Sequence, residues 1–269
     1  MGEVLDRLRH AGKHGKACRM ADRPPPRIFS PARRRSAWSR ALARQASPNA
    51  ARFVEEAVVD DMIERLQFTR LAPESSLVIG ELGHALSEHL EITGKVVRAD
   101  PSSFDEERPV DGRPFDFIAN LGTLATVNDL PGALLHLHAA LASDGLMMVS
   151  LVGAGSLTHL RGAMIAAEPD RAAPRMHPAI DTRSATALLE RAGFRRFVVD
   201  SWPISVGYRA LDRVVDDLRD QALGNQLAQP GPALSRAALD RARAAFLKTA
   251  DEDGRVVERF EILTLTGWA

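Results

Sequence analysis

One cysteine, Cys18, stands alone in 269 residues. An internal disulfide and a cysteine-held metal cluster are therefore excluded, and the usage fits a reducing compartment. No apolar stretch approaches the ~20 residues needed to span a bilayer. The longest, Leu146–Val152, is interrupted by Ser150 and has the length of a strand. Net charge is zero, so the molecule as a whole is not built to coat a polyanion. Lysine is scarce, at positions 13, 16, 95 and 248 only, among 35 basic residues. With the abundant alanine, this arginine excess reads as the codon bias of a GC-rich genome rather than as an RNA-binding signature.

The length suits one large domain, alone or with extensions. Residues 1–26 are expected to form a flexible N-terminal extension and 27–269 the domain proper. The Arg-rich start resembles a transit peptide, against which stand Glu3, Asp6 and Asp22. Met20 is an alternative start. Within 27–70, two helices are expected, over Arg33–Gln45, with Trp38 and Leu42 on one face, and over Phe53–Leu66.

The next segment carries the main clue. Residues 77–90 read Leu-Val-Ile-Gly-Glu-Leu-Gly-His-Ala-Leu-Ser-Glu-His-Leu. A short β-branched strand meets a turn at Gly80 and opens a helix from His84. Nucleotide-binding α/β folds put their ligand loop at such a place, where glycines let the backbone approach the ligand. Strands follow at Lys95–Asp100, Phe115–Leu121 and Leu146–Val152, with a helix capped by Asn128 or Asp129 between the last two. A helix capped by Asp181 or Thr182 runs to Gly193, and Phe197–Asp200 is a further strand. Two helices, Tyr208–Leu223 and Ser235–Thr249, fall within a helical insertion over 205–252, and Val256–Thr266 closes the chain. Alternating strands and helices imply a mostly parallel sheet covered on both faces.

These segments together resemble the class I S-adenosylmethionine (SAM) methyltransferase superfamily. The nearer resemblance is to the mitochondrial complex I assembly factor that hydroxylates an arginine, with the biotin-synthesis methyltransferase as a cousin. Four stretches carry it. They are the basic opening helix at 28–44; Asn128-Asp129-Leu130-Pro131 with Ala133-Leu134 and Asp144-Gly145; Leu151–Leu157 with Leu160-Arg161; and a C-terminal set. That set comprises Ala192-Gly193-Phe194, Val199-Asp200, Tyr208, Asp217-Leu218-Arg219, Asn225 and Gly267-Trp268. The resemblance implies an α/β, Rossmann-like fold with SAM as cofactor. It offers Gly80, Glu81, Gly83, Asp100, Asn120 and Leu121 as candidate cofactor-facing residues. Tyr208, Asp217, Arg219 and Asn225 are candidates for binding a protein client.

The chain departs from the family in three places. The family's acid-x-Gly-x-Gly-x-Gly loop would place its acid at Val78 and its glycines at Gly80, Leu82 and His84, so one glycine of three is in register. Glycines there let the backbone pass close to the cofactor's methionine carboxylate and ribose. Fourteen residues, 101–114, separate the second strand from the third, too few for a βα step, so one βα unit is expected to be missing. Asp100 then corresponds either to the acid that holds the ribose hydroxyls or to the later one near the adenine. Third, Leu124–Val127 lacks the family's histidine and aromatic residue.

His136 with His138, and His84 with His89, have the wrong spacing for a metal pair. Gly153-Ala154-Gly155 reads as a tight exit from a strand rather than a phosphate loop. No iron triad supports an independent oxygenase chemistry. The leading expectation is a methyltransferase-like pseudoenzyme with weakened or lost SAM binding that binds or acts on a protein client, in the manner of a complex I assembly factor. The alternative is an active SAM-dependent methyltransferase with a divergent loop. A cytoplasmic bacterial setting is expected, or the mitochondrial matrix if the source is eukaryotic. No nucleic-acid partner is expected.

Overall fold

Six segments form the sheet: β1 Ser75–Ile79, β2 Lys95–Ala99, β3 Phe115–Leu121, β4 Leu141–Val152, β5 Arg196–Tyr208 and β6 Val256–Trp268. The computed structural model describes residues 27–112, 114–171 and 173–269. The expectations for residues 1–26 fall outside these. The strand order is β2-β1-β3-β4-β6-β5. The pairs β1–β2, β1–β3 and β3–β4 are parallel. Strand β6 runs antiparallel to β4 on one side and to β5 on the other. The expected α/β, Rossmann-like, mostly parallel sheet is therefore present. Between β2 and β3 lies only a loop, so the sheet ends at β2 where a further βα unit would add a strand.

Helices cover both faces. On one side α2 (Phe53–Thr69), α3 (Ala85–Glu91), α5 (Thr158–Ala167), α7 (Leu211–Asp220) and α8 (Arg236–Leu247) bury Met62, Leu86, Leu160, Val214 and Phe246 against Phe117, Met148 and Phe260. On the other, α4 (Leu130–Ala139) and α6 (Thr182–Arg191) bury Leu134, Leu137 and Leu189 against Ile79, Ile118 and Val149. Helix starts follow their capping residues. Ser30, Asp129, Asp181 and Ser235 each accept an N–H from the first turn of α1 (Pro31–Gln45), α4, α6 and α8, which satisfies an otherwise orphaned donor.

Three expectations are corrected. In α1, Trp38 is buried together with Arg34 and Ala41, whereas Leu42 is 40% exposed. Strand β5 runs thirteen residues, to Tyr208, so residues 205–208 of the expected helical insertion are paired strand. Pro203 lies within it, which an edge strand tolerates. Residues 158–167, for which no element was expected, form α5. Its first amides are held by the buried Glu258 carboxylate of β6, which accepts from Leu160 N at 2.5 Å.

Candidate functional site

The strand order reverses between β1 and β3, and open α/β sheets place ligands outside the carboxyl ends of the strands at such a switch point. The turn residues Gly80 (φ +79°) and Gly122 (φ +87°) lie there in left-handed conformations. His84, at the family's third glycine position, is also left-handed at φ +73°. The loop has therefore kept part of the backbone course that glycines normally supply. Leu82, by contrast, does not adopt a positive φ.

The chain's own side chains take up the groups this loop offers. Glu55, from α2, accepts from the backbone amides of Leu82 (2.7 Å) and Gly83 (2.5 Å). Burial pushes its carboxyl up to about 7, partly countered by those two amides and reinforced by nearby Glu81 and Glu56. Glu81 is itself buried and accepts from Leu86 N at 2.6 Å and from the Ser87 hydroxyl, thereby capping α3. A β-carbon on Gly80 would collide with the Thr123 methyl group, so the close approach that needs glycine here is to Thr123. Asn120 is fully buried. It donates to Thr123 Oγ1 (2.7 Å) and accepts from Leu124 N (3.2 Å), shaping the turn after β3.

The loop that replaces the missing βα unit drops Glu106 into the same region. Glu106 is fully buried, forms a bidentate ion pair with Arg34 of α1, and accepts from Thr123 Oγ1 at 2.7 Å. Arg34 also reaches Thr126 Oγ1 (3.2 Å) and the Thr123 carbonyl (3.1 Å). Asp100 accepts from Ser102 N (2.7 Å) and closes its own turn. Beside Gly80 a space of only ≈ 50 Å³ remains, bordered by Glu55, Leu82 and Leu121. The six candidate cofactor residues thus converge at the expected end of the sheet. Of these, Glu81, Asp100 and Asn120 bond to neighbouring groups of the chain, and the Gly83 amide is taken by Glu55.

A cavity of ≈ 590 Å³ opens next to this space and shares Leu121, Gly122 and Trp38 with it. Helix α1, the 3-10 turn Thr123–Thr126, α5 and the 222–226 loop enclose it. Backbone bonds from Ser30 N to Gln226 O (3.0 Å) and from Ala228 N to Ile28 O (2.8 Å) tie the segment before α1 to that loop. His177 accepts from Gln226 N at 2.7 Å, and burial pushes its imidazole down to about 4, keeping it neutral.

The four client candidates separate. Arg219 and Asn225 line this cavity. Tyr208, at the end of β5, and Asp217, on α7, do not: they are 2% and 4% exposed, and burial raises both their pKa values. In this structure neither side chain presents a surface to a client. Gly153-Ala154-Gly155 is indeed a strand exit, with its first two amides bonded to the Glu261 and Ile180 carbonyls. Glu55, Glu106 and Trp38 were not identified from sequence as site residues. Glu55 sits among helix positions that alternate with apolar ones, which reads as a solvated face.

A methyltransferase-domain family model matches residues 29–198. The chain is 31% identical over 182 residues to the mitochondrial arginine-hydroxylase NDUFAF5 of Danio rerio, covering 66% of this chain and 56% of that protein. It is 27% identical over 260 residues to the Mus musculus counterpart, covering 88% of this chain and 75% of that one. A crystal structure described as a methyltransferase, from Bacillus halodurans, matches with a TM-score of 0.52 at 14% identity, over 77% of this chain and 97% of that one. That likeness shows the fold alone. The chain belongs to the methyltransferase-domain family, with the class I Rossmann-like fold, and is similar to the NDUFAF5 arginine-hydroxylases.

Proposed function

We propose that this chain is a methyltransferase-fold protein whose cofactor site is closed by its own side chains and which serves a protein client rather than transferring a methyl group. The observation that carries this reading is the Glu55 carboxylate seated on the Leu82 and Gly83 amides. In the family, this loop passes close to a carboxylate of the cofactor. Here an internal carboxylate takes the amides, Leu82 adds bulk, and the Arg34–Glu106 pair fills the ground beside Asn120. The residues present do not fit SAM in this arrangement. The space directly beside Gly80 is ≈ 50 Å³, well below the about 300–1,000 Å³ of pockets for ligands of that size, so a cofactor held by this loop would have to extend into the adjoining ≈ 590 Å³ cavity.

The client reading draws on the relatives. By analogy with the assembly-factor branch, the client is a respiratory complex I subunit, met at the rim that carries Arg219 and Asn225. The mitochondrial relatives and a bacterial cytoplasm are the two settings consistent with this reading. Among the described residues no helix is long and apolar enough to cross a membrane.

A second reading, an active SAM-dependent methyltransferase, is favoured by one observation. Leu121 and Gly122 border both the small space and the large cavity, so withdrawal of Glu55 would enlarge the former at the latter's edge. Calorimetric titration of the full chain with SAM decides between the two. Absence of heat and of a thermal shift at millimolar SAM is expected. Micromolar binding that Asp100→Ala abolishes would overturn the closed-site reading. Recovery of no complex I subunit in a pull-down from a complex I-bearing host would sink the client reading.

A further inference from the structure

The ≈ 590 Å³ cavity falls in the middle of the range for small-molecule sites, and its lining has a one-sided chemistry. Most of it is apolar: Leu157, Leu160, Met164, Met176, Ile180 and their neighbours. Its ionisable residues are Arg34, Arg161, Arg175, Arg219 and His177, with no aspartate or glutamate among the described residues that line it. Arg34 is taken by Glu106, Arg175 by Glu168 and Arg219 by Asp216. Arg161, exposed on α5, has no carboxylate within ion-pair reach among the described residues. It is the positive charge this lining leaves for a ligand.

Two further buried groups are open to a ligand: a donor that a carboxylate can satisfy, and an acceptor that needs a hydroxyl or amide N–H on the ligand. Trp38 Nε1 and Gln226 Oε1 border the cavity, are buried on residues only 4% exposed, and have no hydrogen-bond partner among the described residues. A buried donor and a buried acceptor left open are costly to the fold. A ligand with an oxygen-bearing polar group, such as a hydroxyl or amide, satisfies them. An arginine side chain would find no carboxylate here.

We infer that the cavity binds a small amphipathic monoanion, an apolar acyl-type chain whose carboxylate pairs with Arg161. The inference does not depend on whether SAM binds. Its test uses medium-chain carboxylates as probes, with binding read by calorimetry on the full chain.

Decanoate should bind below its micelle concentration. Octanoate, two methylenes shorter, should bind roughly fifteenfold more weakly, since each buried methylene contributes roughly fourfold. Decylamine, with the same chain and the opposite charge, should give no heat. Arg161→Glu should weaken decanoate at least tenfold with an unchanged melting temperature, because the side chain is exposed and unpaired. Glu55→Ala should leave decanoate binding intact, which separates this result from the SAM titration. No decanoate heat, equal binding of decylamine, or unaltered binding by Arg161→Glu would each overturn the assignment.

Discussion

At the scale of single residues, Glu55 carries the most testable chemistry. Its carboxyl rises to about 7 from an ordinary 4.5, chiefly through burial. The fold therefore favours the protonated form. The resulting stabilisation is full below the unfolded value, declines between about 4.5 and 7, and is gone above that. Measured against Glu55→Gln, the melting temperature of the wild type should climb as the pH is lowered from 7 to 4.5. A difference independent of pH would show that burial does not set this group's charge. His84 offers a second check. Its left-handed backbone (φ +73°) is strained for a residue with a β-carbon. His84→Gly should therefore raise stability by about 0.5–1 kcal/mol in urea unfolding. A loss would mean that the imidazole makes a contact worth more than the strain. Neither effect could be read from the sequence, because both depend on where the loop backbone goes rather than on which residues it holds.

Secondary-structure elements show where sequence patterns suffice and where they fail. Strand β3 was legible to the residue because Phe115–Leu121 is bounded by proline on one side and glycine on the other, and its middle is uniformly apolar. The start of α4 was narrowed to Asn128 or Asp129, and Asp129 proves to be the cap. Helix α5 was missed because its first turn has no local cap of its own. Glu258, almost a hundred residues away, supplies the acceptor. Helix α1 was expected, but its run of arginines gave no sign that Arg34 is buried and paired. That pair ties α1 to the 101–114 loop, and breaking it tests how firmly α1 closes the cavity. Glu106→Ala leaves a guanidinium buried without its partner, and the cost should be about 3–5 kcal/mol in chemical denaturation. Replacing both Arg34 and Glu106 by methionine should recover most of that loss. If the single variant costs less than about 1 kcal/mol, the pair is solvated and α1 is only loosely seated.

For the whole molecule, the closed-site proposal turns on whether the divergent loop alone would close the cofactor site or whether the missing βα unit also matters. The family resemblance made the glycine losses at Leu82 and His84 visible. The structural consequence of the short 101–114 segment was not, because nothing in its composition announces that Glu106 will be fully buried against Thr123. The two changes touch different groups near Gly80. Glu55 covers the loop amides, and Arg34 with Glu106 occupies the ground beside Asn120. If only the loop were at fault, the triple variant Glu55→Ala, Leu82→Gly, His84→Gly would free the amides, restore the glycine pattern and recover SAM binding. The geometry argues otherwise, since the buried ion pair remains after all three changes and no strand or helix replaces the absent unit. The triple variant is therefore expected to stay folded, with a urea unfolding slope close to the wild type's, and to give no calorimetric signal with SAM. Low-micromolar binding by this variant would place the whole obstruction in the loop and reduce the Arg34–Glu106 pair to a structural clasp.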